Sequence, residues 1–309
     1  MRRGEVVSRD PRRRGVERAG LRLPAGVWLG LVLLVLAGCS RQKLVVTATL
    51  PLLESAISET YRSSDVQTAR AGIPAQLMLL RGLCHNDPGR LETWAITVEL
   101  YTAYAMIFVG DENPSWGLEL YDEGKNLGLR FLRRQDWFAR AWDAGPDSLG
   151  AEIARRRPTE MGPILMWTGA CLGQHVLMNQ EHPREMLDLP YVHVLLDAAI
   201  DLSGDYFYGM PYAAKGMVMA MIPLGLGGNL ESSDRYFQQA FDVSGRRFLL
   251  HQVLYARHCC VAGLDEEGFV RSLQSVLDAP DDLLPEMQFV NRLAKERARR
   301  LLEQRAQFF

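Results

Sequence analysis

The fold of this chain is decided by residues 223–257, which read PLGLGGNLESSDRYFQQAFDVSGRRFLLHQVLYAR. A glycine-rich turn leads through Asn229 into an amphipathic helical pattern, and a Ser244-Gly245 break separates that helix from a second one. No Lys-Ser or Lys-Thr follows the glycines and no strand precedes them, so a phosphate-binding loop is disfavoured. We interpret Gly227 and Gly228 as a structural turn that needs positive φ ahead of a helix cap.

The same helix–turn–helix pattern recurs on both sides of this stretch. Asp201, Asp242 and Asp278 occupy equivalent positions, at intervals of 41 and 36 residues. Intervals of this size are typical of TPR-like helical hairpins, each of which buries its apolar face on the next. Apolar residues keep helical spacing from Pro51 onward, and no segment alternates as a strand would. We predict an all-α domain over residues 51–309, built as an α-solenoid of TPR-like helical hairpin repeats in a right-handed superhelix.

The least regular part of this domain is residues 141–163, which hold three prolines, three glycines and the run Arg155-Arg156-Arg157. We interpret it as a solvated connection with one short helix. The alternative is a lid or a partner-binding loop, because long loops inside compact domains often carry function.

The N-terminus has the pattern of a lipoprotein signal peptide, residues 1–38. Eight arginines against three acids precede a short apolar run that ends in Leu36-Ala37-Gly38-Cys39. This resembles the bacterial lipobox, in which the cysteine receives acyl chains such as palmitate and becomes the first residue. We therefore predict lipidation of Cys39, with residues 39–50 as a tether. Ser40 is not the aspartate associated with inner-membrane retention, which favours the periplasmic face of the outer membrane. The alternative is an uncleaved anchor.

Composition excludes several classes of function. The whole chain carries a formal charge of −2, and the part after residue 38 carries −7 without a basic stripe, so we expect no nucleic-acid partner. The cysteines after Cys39 include no CxxC pair, which argues against a structural zinc site and thioredoxin-like chemistry. We interpret them as small buried apolar residues, although a Cys84–Cys171 bridge remains open in an oxidising compartment.

The sequence also lacks a catalytic or metal-binding motif. His175 and His182 are seven residues apart, as are His251 and His258, whereas zinc ligands on one helix favour a spacing of four. No GxSxG, HExxH or P-loop pattern occurs. We predict that the protein is not an enzyme and needs no metal or cofactor. An envelope hydrolase using Glu160 or Asp205 is the competing hypothesis, and no nucleophile–base motif supports it.

The densest aromatic cluster lies between two helical segments, in the stretch 205–212. Its aromatic members are Tyr206, Phe207, Tyr208 and Tyr212. Core packing between repeats is the simpler interpretation. The functional alternative is a ligand cleft or a partner-binding surface, because such sites favour tyrosine and methionine.

Several motifs together resemble one known family, the TRAP transporter-associated TPR lipoproteins, or T components. The most specific is Gly227-Gly228-Asn229-Leu230-Glu231, followed by Tyr236-Phe237 and Ala240. The segment Gly245-Arg246-Arg247-Phe248-Leu249-Leu250 and the C-terminal helix with Ala298-Arg299-Arg300-Leu301-Leu302 fit the same family. With the lipobox, the resemblance covers most of residues 74–305.

The resemblance implies an all-helical periplasmic lipoprotein that works with a TRAP-type solute-binding protein. Such a component would dock the binding protein and pass on a small carboxylated or hydrophobic ligand, and it could self-associate into a small ring. The competing hypothesis is a general TPR-like assembly or interaction lipoprotein of the cell envelope, which would bind other envelope machinery.

Overall fold

A computed structural model describes residues 25–110 and 112–309, and for residues 25–41 it describes the backbone alone. All regular structure in these residues is helical, which confirms the all-α helical repeat prediction. The helices are α1 (Ala25–Arg62), α2 (Val66–Asn86), α3 (Leu91–Tyr104), α4 (Pro114–Leu132), α5 (Asp136–Ala144), α6 (Pro146–Arg156), α7 (Gly162–Met178), α8 (Pro183–Met186), α9 (Leu189–Ser203), α10 (Tyr206–Met221), α11 (Leu230–Ser244), α12 (Leu250–Leu254), α13 (Glu266–Asp278) and α14 (Gln288–Glu303). Two π-helical segments, Ala105–Val109 and Tyr255–Cys260, extend α3 and α12.

The chain divides into two units, Met1–Leu44 and Val45–Phe309, and the rest of this description concerns the second. In the first unit, residues 25–44 form the start of α1. The arginine-rich start of the predicted signal peptide, residues 1–24, lies outside the described residues, as does the side chain of Cys39. Among the described residues, no helix is long and apolar enough to cross a membrane.

Helix α1 runs through residues 39–50, which we expected to form a tether. Within the second unit, Val46 and Leu50 are buried, and Leu53 and Ile57 continue the same apolar stripe. Residues spaced by three and four lie on one face of a helix, so this stripe packs the helix against the domain.

Helices pair in sequence order, as the repeat pattern predicts. Helix α7 packs on α9, α10 on α11, and α12 with its π extension on α13. Asp201, Asp242 and Asp278, the residues that define the repeat, fall near the ends of α9, α11 and α13. The close approach of α7 to α9 needs small residues, because a Cβ on Gly169 would lie 3.1 Å from the Leu195 Cβ.

Polar caps define where several helices begin. Asp65, Asn113, Asn229 and Asp265 each accept a backbone N–H from the first turn of the helix that follows. Such caps satisfy donors that the helix itself leaves without partners. The break after Ser244 ends α11 with Gly245 at φ 57°.

The irregular segment 141–163 is more ordered than we expected. It contains the predicted short helix, α6, together with the end of α5 and a 3-10 turn at Thr159–Met161. Leu149 and Ile153 are fully buried, and the Arg156 guanidinium lies 4.9 Å from the centre of the Trp137 ring. Leu149 and Ile153 thus anchor α6 in the core, while Arg155, Arg156 and Arg157 stay exposed, so the segment is a partly solvated connection that contains the predicted short helix.

The four cysteines of the domain are buried free thiols, so the Cys84–Cys171 bridge that the sequence left open is not formed. The Cys84 Sγ lies 3.3 Å from the Thr97 hydroxyl, and the Cys171 Sγ lies 2.9 Å from the Thr102 hydroxyl. Burial raises the pKa of Cys84 to about 11 and that of Cys171 to about 12. Both thiols therefore stay protonated at neutral pH, as expected of small apolar core residues.

Candidate functional site

Two arginines from distant parts of the chain meet at the π-helical segment Ala105–Val109. A π turn changes the backbone hydrogen-bonding pattern, and such turns are frequent at functional sites. The Phe108 carbonyl accepts a hydrogen bond from Arg70 Nη2 at 3.0 Å. The Met106 carbonyl accepts one from Arg297 Nη1 at 3.3 Å. The π segment thus fixes one side chain from α2 and one from α14.

A pocket of about 160 Å³ lies between these two arginines. Its volume is similar to that of cavities of about 150 Å³ that accept benzene. We call it the arginine pocket, and it is lined by Val66, Gln67, Arg70, Ile107, Phe108, Glu112, Leu250, Val290, Leu293, Ala294, Glu296, Arg297 and Arg300.

One wall of the arginine pocket is apolar and the rest is charged. Phe108, Leu250 and Val290 are buried residues of the core that reach the pocket surface. Apolar walls with a few convergent polar groups are the usual composition of small-molecule sites. A neighbouring pocket of about 190 Å³ between Pro280 and Arg299 is lined mainly by polar and charged side chains, so it offers little apolar surface to a ligand.

The charge of the arginine pocket is positive, with three arginines against two glutamates. Arg70 forms an ion pair with Glu112 at 2.5 Å, and its guanidinium lies 5.3 Å from the centre of the Phe108 ring. Arg297 is only 9% exposed. A guanidinium presents several N–H donors in a plane that matches a carboxylate. The pocket therefore suits a small anion that carries an apolar portion.

The aromatic residues that the sequence analysis singled out lie elsewhere, and none of them lines the arginine pocket. Phe207, Tyr208 and Gly209 have φ values of 46°, 61° and 85°. Left-handed backbone is costly for residues with a side chain and costs roughly 1–3 kcal/mol each. This stretch bends the chain at the start of α10, and regular helical geometry begins only after it, next to Pro211.

The bend places Tyr206 in a buried polar cluster with Glu99. Tyr206 and Tyr61 each donate a hydrogen bond of 2.8 Å to the Glu99 carboxyl, one to each oxygen. The Trp167 indole N–H donates to the Tyr206 hydroxyl at 3.1 Å. Burial raises the pKa of Glu99, and the two tyrosine hydrogen bonds oppose that change. The cluster joins α1, α3, α7 and α10, and its polar groups have partners within the protein.

The remaining aromatic residues pack on the next repeat. The Tyr208 ring stacks on Phe248 at 5.2 Å and 6°, and its hydroxyl lies 3.4 Å from a Glu286 oxygen. Tyr212 is partly buried and packs against the main core. The role of Tyr206, Phe207, Tyr208 and Tyr212 as a ligand cleft or partner surface stays a prediction.

The glycine-rich turn connects α10 to α11. Gly227 has φ 100°, and a Cβ on Gly228 would lie 1.9 Å from the Ile222 carbonyl oxygen. The Asn229 side chain accepts the Ser232 N–H at 2.8 Å and caps α11. The geometry of the turn and the cap of α11 therefore account for Gly227, Gly228 and Asn229.

The histidine pairs do not form metal sites in the described part of the chain. No group of three or more His, Cys, Asp or Glu side chains there could hold a metal ion. His251 is buried and His258 is partly buried, and desolvation lowers the pKa of each to about 3. His175 instead lies 3.1 Å from Glu185 and 3.5 Å from Asp122.

Sequence reasoning missed the arginine pocket, although one signal was present. Val290, Ala294, Arg297 and Leu301 follow helical spacing on the buried face of α14. A charged residue on such a face is rarely buried without a partner or a function. The sequence around Arg70 carries no comparable signal, because Arg70 lines the pocket only through the packing of α2 against the π segment after α3 and against α14.

Taken together, these features define an all-helical repeat protein with a small cationic pocket and a partly buried aromatic cluster. The chain belongs to the TRAP transporter T-component family (TAtT), whose model matches residues 62–309. No curated protein matches the chain. Family membership associates the protein with a TRAP transport system and indicates a role at the cell envelope. A TRAP transporter component is not a class of enzyme.

Proposed function

We propose that the protein is a lipid-anchored periplasmic adaptor that docks the solute-binding protein of a TRAP-type system. In this proposal Cys39 carries the lipid at the periplasmic side of the outer membrane. The arginine pocket receives a small ligand with a carboxylate and an apolar portion, and the adaptor passes that ligand on.

The observation that carries the ligand part of the proposal is the composition of the arginine pocket. Arg70 and Arg297 are held by the Phe108 and Met106 carbonyls, so their guanidinium groups are oriented before any ligand arrives. Prior orientation lowers the entropic cost of binding. The buried Val290 and Leu250 beside them offer an apolar surface to the rest of the ligand.

Calorimetry with hexanoate tests the pocket, because hexanoate combines a carboxylate with a short apolar chain. Hexanol, of similar length but without charge, should bind far more weakly. Arg300→Gln removes a charge at the exposed part of the pocket, and we expect about tenfold weaker hexanoate binding from the loss of one charged hydrogen bond. Arg299→Gln is the matched control, since Arg299 is also exposed on α14 but does not line this pocket.

The docking part is tested separately, by mixing the purified protein with the solute-binding protein of its own TRAP system. Co-elution in size-exclusion chromatography supports the adaptor role. If the two proteins never associate while outer-membrane assembly proteins co-purify from solubilised envelopes, the general envelope-assembly role replaces it. Equal binding of hexanoate and hexanol, or equal loss in Arg299→Gln and Arg300→Gln, would refute the assignment of the pocket.

A further inference from the structure

Four strongly exposed leucines of the domain occur in three interhelical turns. Leu187 precedes α9, Leu224 and Leu226 precede α11, and Leu264 precedes α13. Their exposed fractions are 71%, 73%, 58% and 76%. Large apolar side chains clustered at such exposure mark interaction sites. We call these four residues the leucine edge.

The three turns lie at one end of the helices and touch one another. Gln180 Nε2, in the turn before α8, donates to the Met221 carbonyl at the end of α10 at 3.5 Å. The turn before α13 lies beside the start of α11, because a Cβ on Gly263 would lie 3.8 Å from Leu230 Cδ1. Arg305 Nε then pairs with Glu266 at 3.1 Å and brings the C-terminus to the third turn. The three turns that carry the leucine edge are therefore neighbours at one end of α9, α11 and α13.

Helix α1 enters the domain at the opposite end of the helices. Thr47 accepts a hydrogen bond from Arg90, the residue before α3, at 3.0 Å. Helix α3 is antiparallel to α4, because Trp94 lies near Phe131 and Tyr104 near Trp116.

Helix α4 is in turn antiparallel to α7. A Cβ on Gly124 would touch Cys171, and one on Gly128 would touch Thr168. Helices α3 and α7 consequently point the same way, so α3 begins at the end opposite the leucine edge. Thr47, near the start of the second unit, therefore lies at the end of the helices opposite the turn that carries Leu187.

Acidic side chains accompany the leucines. Exposed Glu181, Glu231 and Asp265 lie in or next to the three turns, one in each. The same turns contain one arginine, Arg184. Interfaces between proteins place complementary charges around an apolar centre. The partner that fits this edge has an apolar patch bordered by lysine or arginine side chains.

We infer that the leucine edge is the surface on which the protein docks the solute-binding protein of its TRAP system, through an apolar patch with a basic border on that partner. This inference rests on the proposed adaptor function and adds the contact surface to it. The turn that contains Leu224 and Leu226 is closed by backbone hydrogen bonds, in which the N–H groups of Leu226 and Gly228 donate to the Pro223 carbonyl, and it carries two exposed apolar side chains. A fixed turn loses little conformational freedom on binding.

The test measures binding of the solute-binding protein to the full chain in detergent. The edge variants are Leu224→Ser with Leu226→Ser, and Leu187→Ser with Leu264→Ser. Each pair should weaken binding at least about tenfold, because two apolar side chains lose their burial. The matched control is Leu52→Ser with Met78→Ser, two residues that are 73% and 65% exposed on α1 and α2, away from the edge.

The charge of the edge is tested by Glu181→Lys with Glu231→Lys, which should weaken binding and remove most of its dependence on salt. Melting temperatures within about 2 °C of the parent show that the variants fold, since all these positions are exposed. Loss in the edge variants with unchanged controls supports the inference. Parent-like binding by every edge variant overturns it and leaves the adaptor function standing.

Two further outcomes separate this inference from its premise. If the unmodified protein does not bind the solute-binding protein at all, the adaptor function fails and this surface fails with it. If the edge variants instead lose binding to vesicles of phosphatidylethanolamine and phosphatidylglycerol, or lose self-association in sedimentation, the edge faces lipid or a second copy and the inference is wrong.

Discussion

Replacing Glu99 with glutamine should destabilise the protein by an amount that shrinks as the pH rises. The carboxyl oxygens of Glu99 accept hydrogen bonds of 2.8 Å from the hydroxyls of Tyr61 and Tyr206. A glutamine amide retains one acceptor oxygen and presents N–H donors at the other position. A carboxyl, even when protonated, keeps lone pairs on both oxygens, whereas the amide nitrogen has none to offer. One of the two buried hydroxyls therefore loses its acceptor, which costs about 1–3 kcal/mol.

The pH dependence follows from the direction of the pKa shift. Burial raises the pKa of Glu99 in the folded protein above its ordinary value of 4.5. The stability that this group contributes is fully present below that ordinary value and is lost as the pH rises through the folded pKa. Glutamine does not titrate, so the variant lacks this loss. Its deficit relative to the parent should be largest near pH 4.5 and smallest near pH 8.

Urea unfolding followed by far-UV circular dichroism measures this deficit at about pH 4.5, 6 and 8. Glu119→Gln is the control, because Glu119 is exposed on α4 and should show little change at any pH. A deficit that stays constant or grows with pH would refute the raised pKa. The absence of any deficit would refute the hydrogen bonds to Tyr61 and Tyr206.

Two further predictions concern a turn and a buried histidine. Gly228→Ala should lower the stability by about 1–3 kcal/mol, because the added Cβ would lie 1.9 Å from the Ile222 carbonyl oxygen. A Cβ at Gly225 meets nothing within 4 Å, so the control Gly225→Ala should have little effect on the melting temperature. The pKa of His251 is lowered from 6.5 to about 3, so the stability it contributes is present above pH 6.5 and is lost as the pH falls towards 3. His251 packs beside Phe248, and the His251→Phe variant should lose less stability than the parent when the pH falls from about 6.5 to 4.5, as measured by urea unfolding. His85 is exposed, so the control His85→Gln should follow the parent. An equal dependence of stability on pH in all three proteins would contradict the buried position of His251.

The parts of the fold that the sequence predicts are those set by local signals. The cap at Asn229, the break at Ser244-Gly245 and the spacing of Asp201, Asp242 and Asp278 depend on neighbouring residues alone, and all lie at helix boundaries in the structure. The helix that runs through residues 39–50 is not predicted by local signals, because the burial of Val46 and Leu50 depends on the rest of the domain and not on their own propensity.

The arginine pocket shows why the candidate site was harder to predict than the fold. Arg70 and Arg297 come from α2 and α14, and their meeting point is created by a π turn in a third helix. Hydrophobic periodicity distinguishes helix from strand but does not distinguish a π turn from an α turn over five residues. The aromatic cluster drew attention because its residue types are dense in sequence, yet Tyr206 is occupied by Glu99 and Trp167 in the core.

The arginine pocket and the leucine edge share no residues, so the two proposals can be separated by experiment. The pocket joins Val66 and Arg70, in the first turns of α2, to Leu250 and Val290, in the first turns of α12 and α14. Leu264 follows the other end of α12 and its π extension, so the pocket does not lie at the end of α12 that carries the leucine edge. Variants of the leucine edge should therefore weaken docking without changing the affinity of the pocket for hexanoate.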